Sequence, residues 1–257
     1  MPISERARRN HDELFPGHVS TIAVTDPELI EVFDNFAFDE VHSHGVIDAR
    51  TRLLTQLAAM IASQAVAEFR VMVGAALTVG VTPVEVKEVV YQAVPYIGMA
   101  KVFDVLHATN EVFTDRGIEL PLPGQSTTTP EDRMDVGLAT QKQVVGADAV
   151  DAMYARSPAD ELHIQRYLSG NCFGDHVARG GLDLATRELL TFAMLAALGG
   201  CEPQLKGHTA ANLRVSNSRS VLLAVLTHLL PFLGYPRTLN ALRVLDEVAP
   251  APDAGSS

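Results

Sequence analysis

The chain has 257 residues, of which 47% are hydrophobic, and its formal net charge is −11. Such an acidic chain can hardly supply the basic face that nucleic acid or an anionic membrane requires, so we expect neither partner. The longest apolar stretches, such as residues 189–198, are too short to span a bilayer. With two cysteines and no apolar secretory core among its first residues, the chain is expected to be cytoplasmic.

The elements predicted in the first half are helices followed by a linker. Thr82 is typical of a helix cap and Pro83 of a first helical position, and apolar residues follow at helical spacing. The segment LPLPGQSTTTPED, rich in Pro, Ser and Thr, is typical of a solvated linker. At its end Thr128 or Thr129 can cap the next helix, with Pro130 in the first position.

The second half is also predicted to be helical. Residues 186–198 are almost continuously apolar, as expected of a helix that is buried on most sides. Pro203 suits the start of the next helix, in which Leu205, His208 and Leu213 form one stripe. No convincing strand alternation is present, so the prediction is an all-α fold, and the final APAPDAGSS predicts a disordered tail.

The sequence repeats itself at a separation of about 135 residues. The segment DARTRLLTQLAAM from Asp48 returns as DLATRELLTFAML from Asp183, with one extra residue expected between Arg187 and Leu189. Further on, PYIGMAKVFDVL returns as PFLGYPRTLNAL. The repeat predicts two tandem helical domains that share one architecture.

The predicted boundaries follow from this repeat. The first repeat covers residues 1–117, the linker 118–132, the second repeat 133–248 and the tail 249–257. Two domains of this size suit the length of the chain.

The second repeat, LDLATRELLTFAMLAALGGCEPQLKGHTAANLRV followed by LPFLGYPRTLNAL, resembles the carboxymuconolactone decarboxylase family of the alkylhydroperoxidase D-like superfamily. The resemblance covers roughly residues 135–245 and, more weakly, residues 10–110. It implies helical-bundle domains of the alkylhydroperoxidase D-like type that associate as trimers or hexamers. For a tandem chain it therefore favours a homo-oligomer, preferably a trimer.

The family includes a cofactor-free decarboxylase and a relative that reduces peroxides through a Cys-x-x-Cys pair followed by a His. In this chain Cys201 occupies the first thiol position, but Gln204 occupies the second. The dithiol of the peroxidase is therefore missing, and decarboxylation is favoured. Decarboxylase-like members commonly carry Glu where Gln204 stands.

The candidate catalytic residues are His208, Glu202 and Gln204. Gln204 and His208 lie four residues apart and share a helix face, so the amide can orient an imidazole that transfers protons near neutral pH. The alternatives are a buried structural histidine for His208 and a role at the helix start for Glu202.

The candidate substrate-binding residues are Arg187, Cys201 and Glu68. Arg187 can hold a carboxylate, or it can pair structurally with Glu188 or Asp183. Cys201 is either a pocket residue or a small buried hydrophobe. Glu68 corresponds to Gln204 in the first repeat, where Met72 replaces His208, so that repeat is either a structural half or part of a composite site.

The functional prediction is a lyase that needs no cofactor or metal and decarboxylates a small carboxylated lactone or keto acid. The pair His42 and His44, without a third ligand, is weak evidence for a metal. Two alternatives remain open. One is an isomerase or a lactone-opening or cyclising enzyme, and the other is a non-catalytic oligomeric binding protein.

Overall fold

The computed structural model describes residues 2–18, 20–45 and 47–252. All regular elements within these residues are helical and none is a strand, which confirms the all-α prediction. The α-helices of the described ranges are α1 Glu5–Leu14, α2 Ile22–Thr25, α3 Pro27–Asn35, α4 Ala49–Ser63, α5 Val66–Thr78, α6 Pro83–Ile97, α7 Met99–Asp115, α8 Arg133–Val145, α9 Ala147–Arg156, α10 Leu162–Tyr167, α11 Leu184–Leu198, α12 Glu202–Arg214, α13 Arg219–Leu233 and α14 Tyr235–Val248.

Within the described residues, three helical segments that are not α-helical precede the central helices α4 and α11. Phe36–Glu40 and Leu168–Val177 are π-helical, and the 3₁₀ turn Val41–Ser43 follows the first of them. Among the helices described, none is long and apolar enough to cross a membrane. Most of the predicted disordered tail, residues 253–257, lies outside the described residues.

Capping residues explain where several helices begin. The Thr82 hydroxyl accepts a hydrogen bond from the Glu85 amide, and the Glu85 carboxylate accepts one from the Thr82 amide. Helix α8 differs from the prediction, since it begins at Arg133 rather than at Pro130. The Asp132 carboxylate accepts a hydrogen bond from the Thr129 amide and closes a turn ahead of the helix.

The central layer of the fold consists of α4 and α11, which pack on each other and are buried over most of their length. Helices α5, α6 and α13 pack around α4, and α6, α12 and α13 pack around α11. A single cluster of buried apolar side chains therefore runs through both repeats. Each repeat completes the core of the other.

The helices α4 to α7 of the first repeat correspond in order to α11 to α14 of the second. Helices α4 and α11 have fifteen residues each and begin 135 positions apart, whereas α5 and α12 begin 136 positions apart. The extra residue therefore lies in the turn that contains Gly199 and Gly200, and the predicted position between Arg187 and Leu189 is wrong. Both glycines have positive φ, so the turn accommodates the insertion, which inside a helix would rotate every following side chain.

Candidate functional site

The candidate site is built around His208 on α12 and Glu188 on α11. His208 Nδ1 lies 2.8 Å from Glu188 Oε2, and the two side chains are 17% and 1% exposed. Asn212 links α12 to α11, because its amide nitrogen donates to the backbone carbonyls of both Glu188 and His208. With Nδ1 donating to the carboxylate, Nε2 remains for proton transfer, and no described residue binds it.

Tyr96 reaches the same place from α6 of the first repeat. Its ring meets the His208 ring edge-on, with 5.7 Å between centroids. Its hydroxyl is buried and lies close to the Thr191 hydroxyl and the Cys172 thiol, without a hydrogen bond of good geometry to either. Burial raises the pKa of Tyr96 well above its ordinary value, and nearby Cys172 and Glu188 raise it further. The hydroxyl therefore stays protonated and can donate to a bound molecule.

Cys172 lies beside this group on the second π-helical segment. It is 7% exposed, and burial raises the pKa of its thiol to about 12. A protonated thiol in such surroundings is a weak donor and a poor nucleophile. We name Tyr96, Cys172, Glu188 and His208 together the quartet.

The repeat supplies an internal comparison for the quartet. With the register of the helices, the first-repeat counterparts of Tyr96, Cys172, Glu188 and His208 are Phe232, Ala37, Leu53 and Met72. Each polar or ionisable residue of the quartet thus corresponds to an apolar residue in the first repeat. Ala37, Met72 and Phe232 do come together, around a cavity of about 20 Å³ that is large enough for about one water molecule.

The predicted catalytic partners of His208 lie elsewhere. Gln204 is exposed on α12, and no hydrogen bond of its side chain to a described residue is found. Glu188 instead of Gln204 binds the imidazole, because the neighbouring helix approaches that side of the ring. Glu202 occupies the first turn of α12, in keeping with its alternative role at the helix start.

The predicted substrate-binding residues are also dispersed. Arg187 is 0% exposed, and its guanidinium donates to Glu88, Gln92 and two backbone carbonyls, so its partners differ from the predicted Glu188 or Asp183. This geometry favours its structural role. The Cys201 thiol donates to the Leu195 carbonyl at 3.4 Å.

Glu68 is exposed on α5, a helix that packs against α1, α4 and α7. Helices α5 and α12 place Glu68 and Met72 at the positions of Gln204 and His208, in agreement with the alignment of the repeats. Glu68 lies four residues before Met72 on α5, but it does not line the cavity around Met72.

Sequence reasoning missed Tyr96 and Cys172 and assigned Glu188 only a pairing role. A signal existed in the repeat itself, since PYIG carries Tyr where PFLG carries Phe, and Cys172 stands opposite Ala37. Positions at which one repeat is polar and the other apolar include these members of the candidate site. The third such pair, Glu188 and Leu53, was not recognised, because the sequence alignment placed the extra residue of the second repeat at Glu188.

Comparison with known proteins agrees with the repeated architecture. A sequence model of the carboxymuconolactone decarboxylase family matches residues 27–111 and again residues 163–247. The chain is also 34% identical over 118 residues to the 4-carboxymuconolactone decarboxylase of Acinetobacter baylyi, an alignment that covers 46% of this chain and 87% of that protein. The chain therefore belongs to the carboxymuconolactone decarboxylase family, with two copies of the family domain in one polypeptide.

Proposed function

We propose that the protein is a cofactor-independent carboxy-lyase that releases carbon dioxide from a small carboxylated lactone or keto acid at the quartet. The observation that carries the proposal is the buried Glu188 carboxylate on His208, a pair whose counterparts in the first repeat are apolar. The similarity to a named decarboxylase supports the same reaction class.

The proposed reaction needs one bond to break and one proton to move. The carbon–carbon bond to the carboxylate breaks, its electron pair stays on the substrate as an enolate, and His208 Nε2 delivers a proton to carbon. Glu188 stabilises the imidazolium that precedes this transfer, and solvent restores the proton afterwards. The Tyr96 hydroxyl, which makes no well-formed hydrogen bond within the described residues, donates to the enolate oxygen.

This assignment revises the predicted roles. Glu188 replaces Gln204 and Glu202 as the residue that orients His208, and Tyr96 joins the site from the other repeat. Arg187, with no exposed surface, supports α11 rather than binding the substrate. The small carboxylate substrate, the cytoplasmic location and the homo-oligomer, preferably a trimer, stay predictions.

The test is decarboxylation of 4-carboxymuconolactone and related lactone and keto acids, in buffer with a chelator. The variant His208→Gln keeps an amide near Glu188 but cannot transfer protons, so turnover is expected to fall about a hundredfold or more. Met72→Leu is the matched control at the counterpart position, and it should keep turnover within about twofold.

Other outcomes select the alternatives. Product that forms without release of carbon dioxide, and that still depends on His208, would indicate an isomerase or a lactone-opening or cyclising enzyme. Tight binding of these acids without any product would indicate a binding protein. Full activity of His208→Gln would remove the quartet as the site.

A further inference from the structure

A cleft of about 480 Å³ lies away from the quartet, between α6, α7 and the segment that joins the repeats. Its apolar wall contains Leu106 together with Leu120 and Leu122 of the joining segment. The volume suits a small organic molecule. No member of the quartet lines this cleft, so its chemistry is separate from the proposed catalytic group.

Lys87 lines the cleft and carries a positive charge that no described carboxylate pairs with. Its side chain is buried, with the residue 7% exposed, and its ammonium donates to the Asn110 amide oxygen. The remaining surroundings include the rings of Tyr91 and Phe113, whose centroids lie 6.0 and 5.6 Å from Nζ. No carboxylate of a described residue forms an ion pair with this ammonium. Burial lowers the pKa of Lys87 accordingly.

The carboxylate of the cleft, Glu88, is already occupied. It accepts hydrogen bonds at 2.9 to 3.1 Å from Arg179, which also lines the cleft, and another at 2.9 Å from the buried Arg187. One anion thus serves two guanidinium groups, while Lys87 has none. Together these four side chains carry a local excess of positive charge in a chain whose net charge is −11.

We propose that this cleft binds a small organic acid that has one carboxylate and an apolar body. The carboxylate would take the free donors of Lys87 and the unpaired edge of Arg179, and the leucine wall would cover the apolar body. A singly charged head suits the site, because Arg179 spends two of its nitrogen donors on Glu88. The proposal is independent of the reaction at the quartet.

The test measures binding of benzoate to the full chain by isothermal titration and ligand-observed NMR. Benzoate should bind, whereas benzyl alcohol and inorganic phosphate should each bind at least about tenfold more weakly, since one lacks the charge and the other the apolar body. Lys87→Met, which keeps most of the side-chain volume, should weaken benzoate at least about tenfold. Lys101→Met, on an exposed lysine of α7, is the matched control and should bind as the parent does.

A second variant guards against misfolding of the first. Leu120 is 40% exposed in the joining segment, so Leu120→Asp should fold and still repel benzoate by its charge. His208→Gln should bind benzoate unchanged, which separates this proposal from the proposed reaction. Equal benzoate affinity in Lys87→Met and the parent, or equal affinity for phosphate or benzyl alcohol, would overturn the proposal.

Discussion

Tyr96 differs from its counterpart Phe232 by one hydroxyl, and this buried oxygen makes no well-formed hydrogen bond to the described residues. An unsatisfied buried hydroxyl costs stability unless a ligand completes it. Because the protein accommodates Phe at the counterpart position, the hydroxyl can be removed without disturbing the helix. Its presence in one repeat alone agrees with the role proposed for it in the reaction.

We therefore predict that Tyr96→Phe leaves the free energy of unfolding unchanged or slightly higher and lowers the turnover number about tenfold or more. Steady-state kinetics and urea unfolding measure the two effects. Tyr235→Phe, at a tyrosine that is 60% exposed, is the control and should alter neither. Unchanged turnover in Tyr96→Phe would exclude the hydroxyl from the reaction.

At this scale the sequence proposed His208 as a candidate, but not Glu188 and Tyr96, which contact it. His208 could be proposed from the sequence because the motif around it is local, within one helix and the preceding turn. Glu188 lies 20 positions away on another helix, and Tyr96 comes from the other repeat. Such contacts depend on how helices pack, which the spacing of residues along one helix does not determine.

At the scale of helices, the buried ions between α6 and α11 connect the two repeats. Glu88 on α6 is 1% exposed and binds Arg187 on α11 and Arg179 just before it. The counterpart of Glu88 in the second repeat is Ala224, so this arrangement occurs on one side only. Removing one partner of a buried ion pair leaves the other charges without compensation.

We predict that Glu88→Gln lowers the free energy of unfolding by about 3 kcal/mol or more, because two guanidinium groups lose their shared carboxylate. Glu111→Gln breaks the ion pair with Arg70, whose side chains are 44% and 57% exposed, and should cost less than about 1 kcal/mol. Urea denaturation of both variants makes the comparison. Equal losses in the two variants would show that the buried network contributes nothing beyond a surface pair.

The sequence predicted the helices better than their junctions. Thr82 and Asp183 cap helices as local hydrogen-bonding rules require, so these starts follow from the sequence. The joining segment was expected to be solvated, yet Leu120 and Leu122 line the cleft. Composition indicates that a segment lacks helix, but it does not show which surface that segment covers.

At the scale of the whole molecule, the two repeats have the same four helices in order but differ at the four positions of the quartet. The quartet keeps a carboxylate, an imidazole, a phenol and a thiol, while the first repeat has apolar residues at all four positions. Near that degenerate copy lie two other histidines, His42 and His228, whose rings are 6.4 Å apart. His228 is buried and His42 is half-buried, and desolvation lowers the pKa of both imidazoles.

His228 couples this region to the stability of the entire fold. It is 3% exposed, and burial, followed by Arg52 and His42, lowers its pKa to about 4. In the unfolded chain a histidine titrates near 6.5, so between these values the unfolded state binds more protons than the folded state. Stability is therefore complete above about pH 6.5 and falls as the pH drops towards 4, by about 3 kcal/mol from this residue.

The variant His228→Gln, which introduces the residue found at the counterpart position Gln92, should remove this part of the acid sensitivity. Urea unfolding at pH 7 and pH 4.5 is expected to show a smaller loss of free energy in His228→Gln than in the parent, by about 2 to 3 kcal/mol. His163→Gln, at an exposed histidine, should lose as much as the parent. If the parent and His228→Gln lose the same free energy, the folded protein protonates His228 as readily as the unfolded chain does. A counter-charge near the buried ring must then compensate Arg52 and His42.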